Sequence, residues 1–513
     1  MSGAAAAAAA VPAGHPRRGL ITLSVMLATI LYSLDWTIAS IALPHMQGTF
    51  SATQDQISWV ITSYIVASAV IIPTSGWLSG RFGRKRVFVS AVIGFLGASV
   101  LCGAADSLAA EVIFRILQGM AGAFLVPISQ AIVLDIYPRE EHVKAMAFWG
   151  SGVVLGPVLG PTIGGFLTEF YSWRWVFYIN LPLGIVALLG TIAFLPETAK
   201  DRGRRFDWLG FLALAAGVGA LQMMLDRGQR RDWFDSVEIV IEAAIAVVGL
   251  YLFVAHSLTT RDPFLNPRLL RDRNYALGLV FIFLYGLLTL APMVMMPPFL
   301  SELRDYPIVT IGLLQTPRGL GLLTAMVIGG RIANRVDTRA LVAFGFLCLA
   351  VSNWGMSQWT LEVDAWPIVW TGFLQGIGAG IILVPLGALT FFSLAPENRT
   401  EGTSVFNLVR SIASSIGVSI ALAVLTRSTA TNHAILTEHV SPYNEVFRQS
   451  AARELWDTAT ASGLAVLDAE ITRQAAMLAY INDFYLLAIA SLIGLPLLLL
   501  VKTPRLGAPR APG

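Results

Sequence analysis

The chain has 513 residues, of which 55% are hydrophobic and 13% charged. Soluble domains carry roughly 25% charged residues, so this composition excludes a soluble protein with a single anchor and points to a polytopic membrane protein. The formal net charge of +3 is small and its charges lie between apolar runs, which excludes a nucleic-acid-binding surface.

Residues 1–18 lack the basic region that precedes the apolar core of a signal peptide, and they read as a short disordered cytoplasmic tail before a retained first helix. Crossing the hydrocarbon core takes about 20 apolar residues. Fourteen runs qualify: 19–45, 57–79, 87–106, 109–134, 142–168, 175–196, 207–226, 236–257, 274–300, 306–330, 339–357, 365–393, 401–427 and 478–502. Cys102 and Cys348 fall inside such runs and read as buried thiols. Lys and Arg cluster before the first run and after the second, fourth, sixth, eighth and tenth, which places those connections and both termini in the cytoplasm. The connection 226–235 dissents, because Arg227, Arg230 and Arg231 would lie outside. The one long hydrophilic connection, 428–477, is extracytoplasmic on this count, and a connection of that length is usually functional or disordered.

An internal repeat organises these runs. Gly76 and Arg81 after span two match Gly330 and Arg335 after span ten, an offset of 254. Leu117-Gln118-Gly119 matches Leu374-Gln375-Gly376 at an offset of 257, and Pro138 and Phe148 match Pro396 and Phe406 at 258. A duplicated unit therefore maps spans one to six onto spans nine to fourteen. The division is an N-terminal six-helix bundle (19–200), two inserted helices (201–260), a C-terminal six-helix bundle (261–502) and a cytoplasmic tail (503–513). Two such halves around a midplane site are a transporter architecture.

Within span one, Asp35 stands alone among apolar residues. A carboxylate in the bilayer interior is costly, and the default reading is a functional site. Asp35 lies about 14 Å from the outer end of its span and Arg115 about 9 Å from the outer end of span four, at about 1.5 Å per residue. Boundary error covers the difference, so the two can face each other. Such a pair is stable when ionised, and its separation favours a proton on the acid.

The segment Gly76-Trp-Leu-Ser-Gly80-Arg81-Phe-Gly83-Arg84-Lys85-Arg86 resembles motif A of the major facilitator superfamily. Arg115-Ile-Leu-Gln118-Gly119-Met-Ala-Gly122 resembles its motif B. Gly152-Val-Val-Leu-Gly156-Pro157-Val-Leu-Gly160-Pro161-Thr-Ile-Gly164-Gly165 resembles motif C, the antiporter motif. Leu34-Asp35-Trp-Thr37-Ile-Ala-Ser-Ile-Ala42-Leu43-Pro44 and Trp173-Arg174-Trp175-Val-Phe177-Tyr-Ile179-Asn180-Leu-Pro182-Leu-Gly184 are similar to segments of its 14-helix drug:proton antiporter branch, the EmrB/QacA family, with EmrB-type multidrug pumps the nearest likeness. The resemblance implies an all-α major facilitator fold and a proton-coupled exporter of lipophilic compounds in the bacterial inner membrane. Asp35 is then the proton carrier, Arg115 its tuner, motif C a hinge and motif A a gate. It also implies a periplasmic adaptor and an outer-membrane channel as partners, docked through 428–477. A dedicated metabolite such as a fatty acid or siderophore is the alternative cargo, and a non-transporting membrane receptor is the third reading.

Motif A usually carries an acid where Gly80 stands, which puts an acid–arginine latch there in doubt and leaves Arg81, Arg84 and Lys85 a topological role. Gly152, Gly156, Gly160 and Gly164 line one helix face and permit close backbone approach, while Pro157 and Pro161 bend that helix. Gln118, Tyr285, Met293, Arg318, Gln375 and Arg410 are the substrate-cavity candidates. The two arginines, with no second deep acid foreseen in the C-terminal half, favour weak acids and neutral amphiphiles. No nucleotide loop GxxxxGK[ST] and no metal-ligand spacing occurs, so no cofactor is expected and the proton gradient is the expected energy source. No nucleophile–base constellation points to an enzyme.

Overall fold

The computed structural model describes residues 17–198, 200, 203, 205–332, 336–440 and 460–500. Among them, fourteen helices are long and apolar enough to cross a membrane. In order, these spans are Arg18–Phe50, Asp55–Phe82, Arg84–Ala104, Leu108–Ile136, His142–Phe170, Trp175–Phe194, Trp208–Arg231, Val237–Thr259, Arg273–Leu303, Thr310–Ile332, Thr338–Met356, Ala365–Phe391, Pro396–Glu438 and Ala461–Leu500. The N-terminal tail, Asn334, Arg335, the centre of the long connection and the C-terminal tail lie outside the described residues, as does the side chain of Pro161.

Local sequence sets the helix ends. Thr53 and Gln56 form a reciprocal capping box that starts span two. Pro73 sits in a turn of 3₁₀ helix, Ile72–Thr74, inside that span. Gly83 closes the turn into span three at φ +92°, a conformation that L side chains rarely adopt, and an added Cβ there would also meet the Glu197 carboxylate.

Packing reproduces the repeat. Span one packs on five and six, two on four, and three on four and six; correspondingly, span nine packs on thirteen and fourteen, ten on twelve, and eleven on twelve and fourteen. Spans seven and eight form their own pair, and span seven leans on spans two and thirteen. The repeated glycines sit at equivalent crossings. A Cβ on Gly76 would lie 2.9 Å from Cα of Glu401, and one on Gly330 would lie 2.7 Å from Cβ of Ala147. Each glycine therefore lets the end of one half's second helix cross the start of the other half's fifth.

Within the long connection, residues 428–438 and 461–477 are helical, because span thirteen continues to Glu438 and the last span begins at Ala461, while the helix-like stretch Tyr443–Trp456 lies outside the described residues. His433 to Asp468 (2.9 Å) and Asn432 to the Ala475 carbonyl (3.3 Å) join the two extensions. The dissenting arginines are neutralised locally. Arg227 lies 2.6 Å from Glu238 and 3.2 Å from buried Glu242, and Arg230 lies 3.5 Å from Asp226.

Candidate functional site

Asp35 and Arg115 meet, and both are fully buried. Arg115 Nη1 donates to Asp35 Oδ2 at 2.6 Å and to Gln118 Oε1 at 2.8 Å. Gln118 Nε2 and Asn180 Nδ2 both donate to Asp35 Oδ1, at 2.8 and 2.9 Å. Asn180 also donates to Ser99 Oγ, which donates to the Phe177 carbonyl. Arg115 Nε donates to the Val60 carbonyl at 3.1 Å, and the guanidinium carbon lies 4.2 Å from the Tyr64 ring centroid. Removing two charges from water is expensive, and only this density of partners makes it tolerable. Gln118, expected in the substrate cavity, belongs to this acid cluster instead. Asn180 and Ser99 were not anticipated. Asn180 falls within the Trp173–Gly184 segment, yet its reach to Asp35 exists only once spans one and six pack.

Motif C explains how span one is held. A Cβ on Gly156 would come within 2.5 Å of the Leu34 backbone nitrogen, and one on Gly160 within 2.3 Å of Thr37 Oγ1. Gly152 meets Met26 and Gly164 meets Ile38 in the same way, whereas Gly165 faces open space and is no part of the seam. Span five runs unbroken as a helix past Pro157 and Pro161. The seam grips the face of span one behind Asp35.

A latch does exist at the motif A end, with its acid supplied from elsewhere. Arg84 ion-pairs with Asp135 at the Ile136 end of span four, and Arg399 of the other half reaches the same carboxylate at 2.5 Å. Arg399 also donates to the Leu134 carbonyl, and Arg84 to Thr400 Oγ1 and the Pro396 carbonyl. The missing acid at Gly80 is thus replaced by Asp135. Lys85 donates to the Ile192 carbonyl, and Arg81 is half-buried.

Between the halves lies a small cavity lined by Gln130, Trp149, Met326, Phe406, Asn407 and Arg410. Asn407 bridges the halves through Gln130 Oε1 at 2.9 Å. Arg410 donates to Asn407 Oδ1 at 3.4 Å and interacts electrostatically with Tyr32 and Tyr285. Tyr32 stacks on Tyr64 with centroids 5.9 Å apart, so two stacked rings lie between Arg115 and the electrostatic reach of Arg410. Arg318 is half-buried and donates to the Thr289 carbonyl at 2.5 Å; Met293 is also half-buried. Gln375 is buried against Asn353 at 3.2 Å and does not line the cavity. The expectation of no further deep acid fails, because Asp483 in the last span is buried with neither carboxylate oxygen hydrogen-bonded. Among the described residues, no group of three or more His, Cys, Asp or Glu is placed to hold a metal.

The repeat places the two halves' cations differently. Gly119 packs on the Tyr64 backbone and Gly376 on the Arg318 backbone, so Arg318 is the counterpart of Tyr64. The counterpart of Arg115, at the offset of 257, is Gly372. The counterpart of Asp35, at 254, is Thr289. The acid at this repeat position therefore belongs to the N-terminal half, and in the C-terminal half Arg318 has no carboxylate at the position equivalent to Asp35.

Comparison with known proteins agrees with this architecture. The Major Facilitator Superfamily model matches residues 25–418. The multidrug export protein EmrB of Escherichia coli K12 is 36% identical over 428 residues, 83% of each chain. Its Haemophilus influenzae counterpart is 34% identical over 95% of this chain and 96% of its own. The fatty acid resistance protein FarB of Neisseria gonorrhoeae is 34% identical over 94% and 96%. Among solved structures, the human organic anion transporter MFSD10 superposes with a TM-score of 0.61 at 16% identity, covering 93% of this chain and all of its own, and a double-tryptophan XylE mutant with 0.60 at 13%, covering 95% and all of its own. Fourteen apolar helices, two packing-equivalent halves, motif C gripping span one and relatives matched along most of their length place this chain in the major facilitator superfamily as a membrane transporter.

Proposed function

We propose that the protein is a proton-driven exporter of lipophilic compounds across a bacterial inner membrane, with both termini cytoplasmic. The observation that carries this reading is the Asp35–Arg115 pair, fully buried, with both carboxylate oxygens hydrogen-bonded, on a helix that motif C holds by its backbone. A proton on Asp35 removes the charge that Arg115, Gln118 and Asn180 all point at. The guanidinium cannot give up its own proton, so it must find another partner. Its nearest aromatic cover, Tyr64, stacks on Tyr32 beside the cavity. Protonation and cavity shape are thereby linked through packed side chains. Drug export is what the EmrB relatives' names state, and it is the cargo class adopted here. No cofactor enters; the proton gradient supplies the energy.

A second cargo, a fatty acid or similar weak acid, is favoured by one observation: the cavity holds Arg410, and Arg318 lacks an acidic counterpart to the Asp35 of the other half. The FarB relative, named for fatty acid resistance, fits it. The extended ends of spans thirteen and fourteen are the place where a periplasmic adaptor docks. The 40-residue helix Arg399–Glu438 is about 60 Å long at about 1.5 Å per residue, roughly twice the hydrocarbon thickness.

The deciding experiment is export from proteoliposomes under an imposed pH gradient, wild type beside Asp35→Asn, with a panel of lipophilic cations, neutral amphiphiles and weak acids. Gradient-driven export that disappears in the variant is the expected result. Equal export by both would remove Asp35 from the coupling, and preference within the panel decides between the cargoes.

A further inference from the structure

Glu111 is the one carboxylate near Asp35 that the coupling scheme above does not use. It lies one helical turn before Arg115 on span four, about 5 Å along the helix from its Leu108 end, whereas Arg115 lies about 10 Å in. The distribution of Lys and Arg puts that end outside. Glu111 is fully buried, and neither of its oxygens has a hydrogen-bond partner. The groups that act on it are Arg115 on its own helix, Asp35 from span one, Cys102 from span three and Arg174 from the connection before span six. Span two contributes Tyr64, whose ring covers Arg115. Arg174 does not neutralise Glu111 by contact: one of its nitrogens donates to the Ala105 carbonyl, another is buried without a partner, and its guanidinium stacks on Trp173.

The charge count is decisive. Asp35 and Arg115 already cancel, so an ionised Glu111 would leave one further negative charge in a fully buried site, with Arg174 acting on it but not in contact. An isolated buried carboxylate is expensive, and a proton removes the cost. We propose that Glu111 is a second proton-binding carboxylate, set between the outer surface and Asp35, that takes the incoming proton and passes it to Asp35. In the step, external water protonates Glu111; the Glu111 O–H bond then breaks as an Asp35 O–H bond forms, leaving Glu111 as carboxylate and Asp35 neutral. Asp35 and Arg115 both act on Glu111 electrostatically, so a change of charge at Asp35 alters the field at Glu111. The relay rests on the antiport reading; the existence of the proton site does not.

Two readouts separate them. In purified protein, a pH-difference infrared spectrum should contain a carboxylic-acid band that Glu111→Gln removes and whose midpoint moves in Asp35→Asn. In proteoliposomes, Glu111→Gln should slow gradient-driven export at least tenfold at alkaline outer pH and much less at acidic outer pH, with Glu111→Asp restoring part of the rate. A purely structural role would lower the rate equally at every pH. Uniform slowing, or no loss of an acid band in monodisperse Glu111→Gln, overturns the proposal. If the wild type shows no gradient-driven export, the antiport reading fails and the relay with it. The infrared arm then decides the proton site alone: a lost band with a shifted midpoint supports it, and anything else overturns it.

Discussion

Asp135→Asn should release the two halves at the motif A end. Asp135 pairs with Arg84 within its own half and with Arg399 across the interface, and these side chains retain only 7–12% exposure. Opening that end leaves the Arg84 pair intact and breaks the Arg399 pair, so only the second biases the conformational equilibrium. Removing one partner of a buried ion pair costs about 3–5 kcal/mol. Residual exposure and the surviving bond from Arg399 to the Leu134 carbonyl reduce this to about 2–3 kcal/mol. At 1.4 kcal/mol per tenfold, the closed state should lose about 30- to 150-fold in population relative to the open one. A cysteine replacing Phe406 in the cavity wall, in a background lacking Cys102 and Cys348, reports the change through its rate of reaction with a membrane-impermeant maleimide added from the Arg84 side. The rate should rise at least tenfold in Asp135→Asn. An unchanged rate would mean that the charge triad does not hold the halves together.

Two further outcomes follow from the same geometry. Gly156→Leu forces a side chain into the Leu34 backbone and should abolish export, while the protein stays monodisperse by size-exclusion chromatography and its melting temperature falls by the equivalent of about 1–3 kcal/mol; normal export would show that the seam with span one tolerates separation. Replacing 428–477 with a short flexible linker should leave gradient-driven export from proteoliposomes within about twofold of wild type and eliminate co-purification of a periplasmic adaptor from a Gram-negative host; retained co-purification would place the docking surface elsewhere.

Much of the fold was legible because the bilayer imposes a length on every apolar run. All fourteen spans and the duplication could be read from hydropathy and from matched residues at nearly constant offset. The Asp35–Arg115 pair was legible for a related reason: two charges at similar depth in apolar helices have few alternatives to each other. The sequence did not reveal which side of each helix a polar residue faces. Gln118 and Gln375 occupy equivalent positions and were read alike as cavity groups, yet one completes the acid cluster and the other bonds Asn353 inside its own half. Asp135, one residue beyond the fourth apolar run, was not singled out. Its latch function depends on Arg399, 264 residues away, and becomes visible only when the halves meet. Glu111 lay too near a predicted helix end to stand out, although its position one turn before Arg115 was the available signal.

The divergence between the halves gives the fold its direction of work. A duplicated bundle begins with equivalent positions, and the backbone crossings at Gly119 and Gly376, and at Gly76 and Gly330, preserve that equivalence. The side chains do not. In the N-terminal half, position 35 is acidic, position 64 aromatic and position 115 cationic, which makes a neutral, dry site that a single proton can disturb. In the C-terminal half the corresponding positions are Thr289, Arg318 and Gly372, so the cation has moved to the second helix and the acid has gone. Arg318 is left half-buried with a backbone carbonyl as its acceptor. A carbonyl carries only a partial charge, so this cation is better matched by an acidic or carbonyl-bearing cargo than by the protein itself. In the proposed coupling scheme the two halves divide the task, the first holding the proton and the second holding a charge complementary to the cargo. Arg318→Gln should then weaken export of weak acids more than export of neutral amphiphiles while leaving the outer-pH dependence unchanged. A changed pH dependence would show that the cation of the second half also belongs to the proton site.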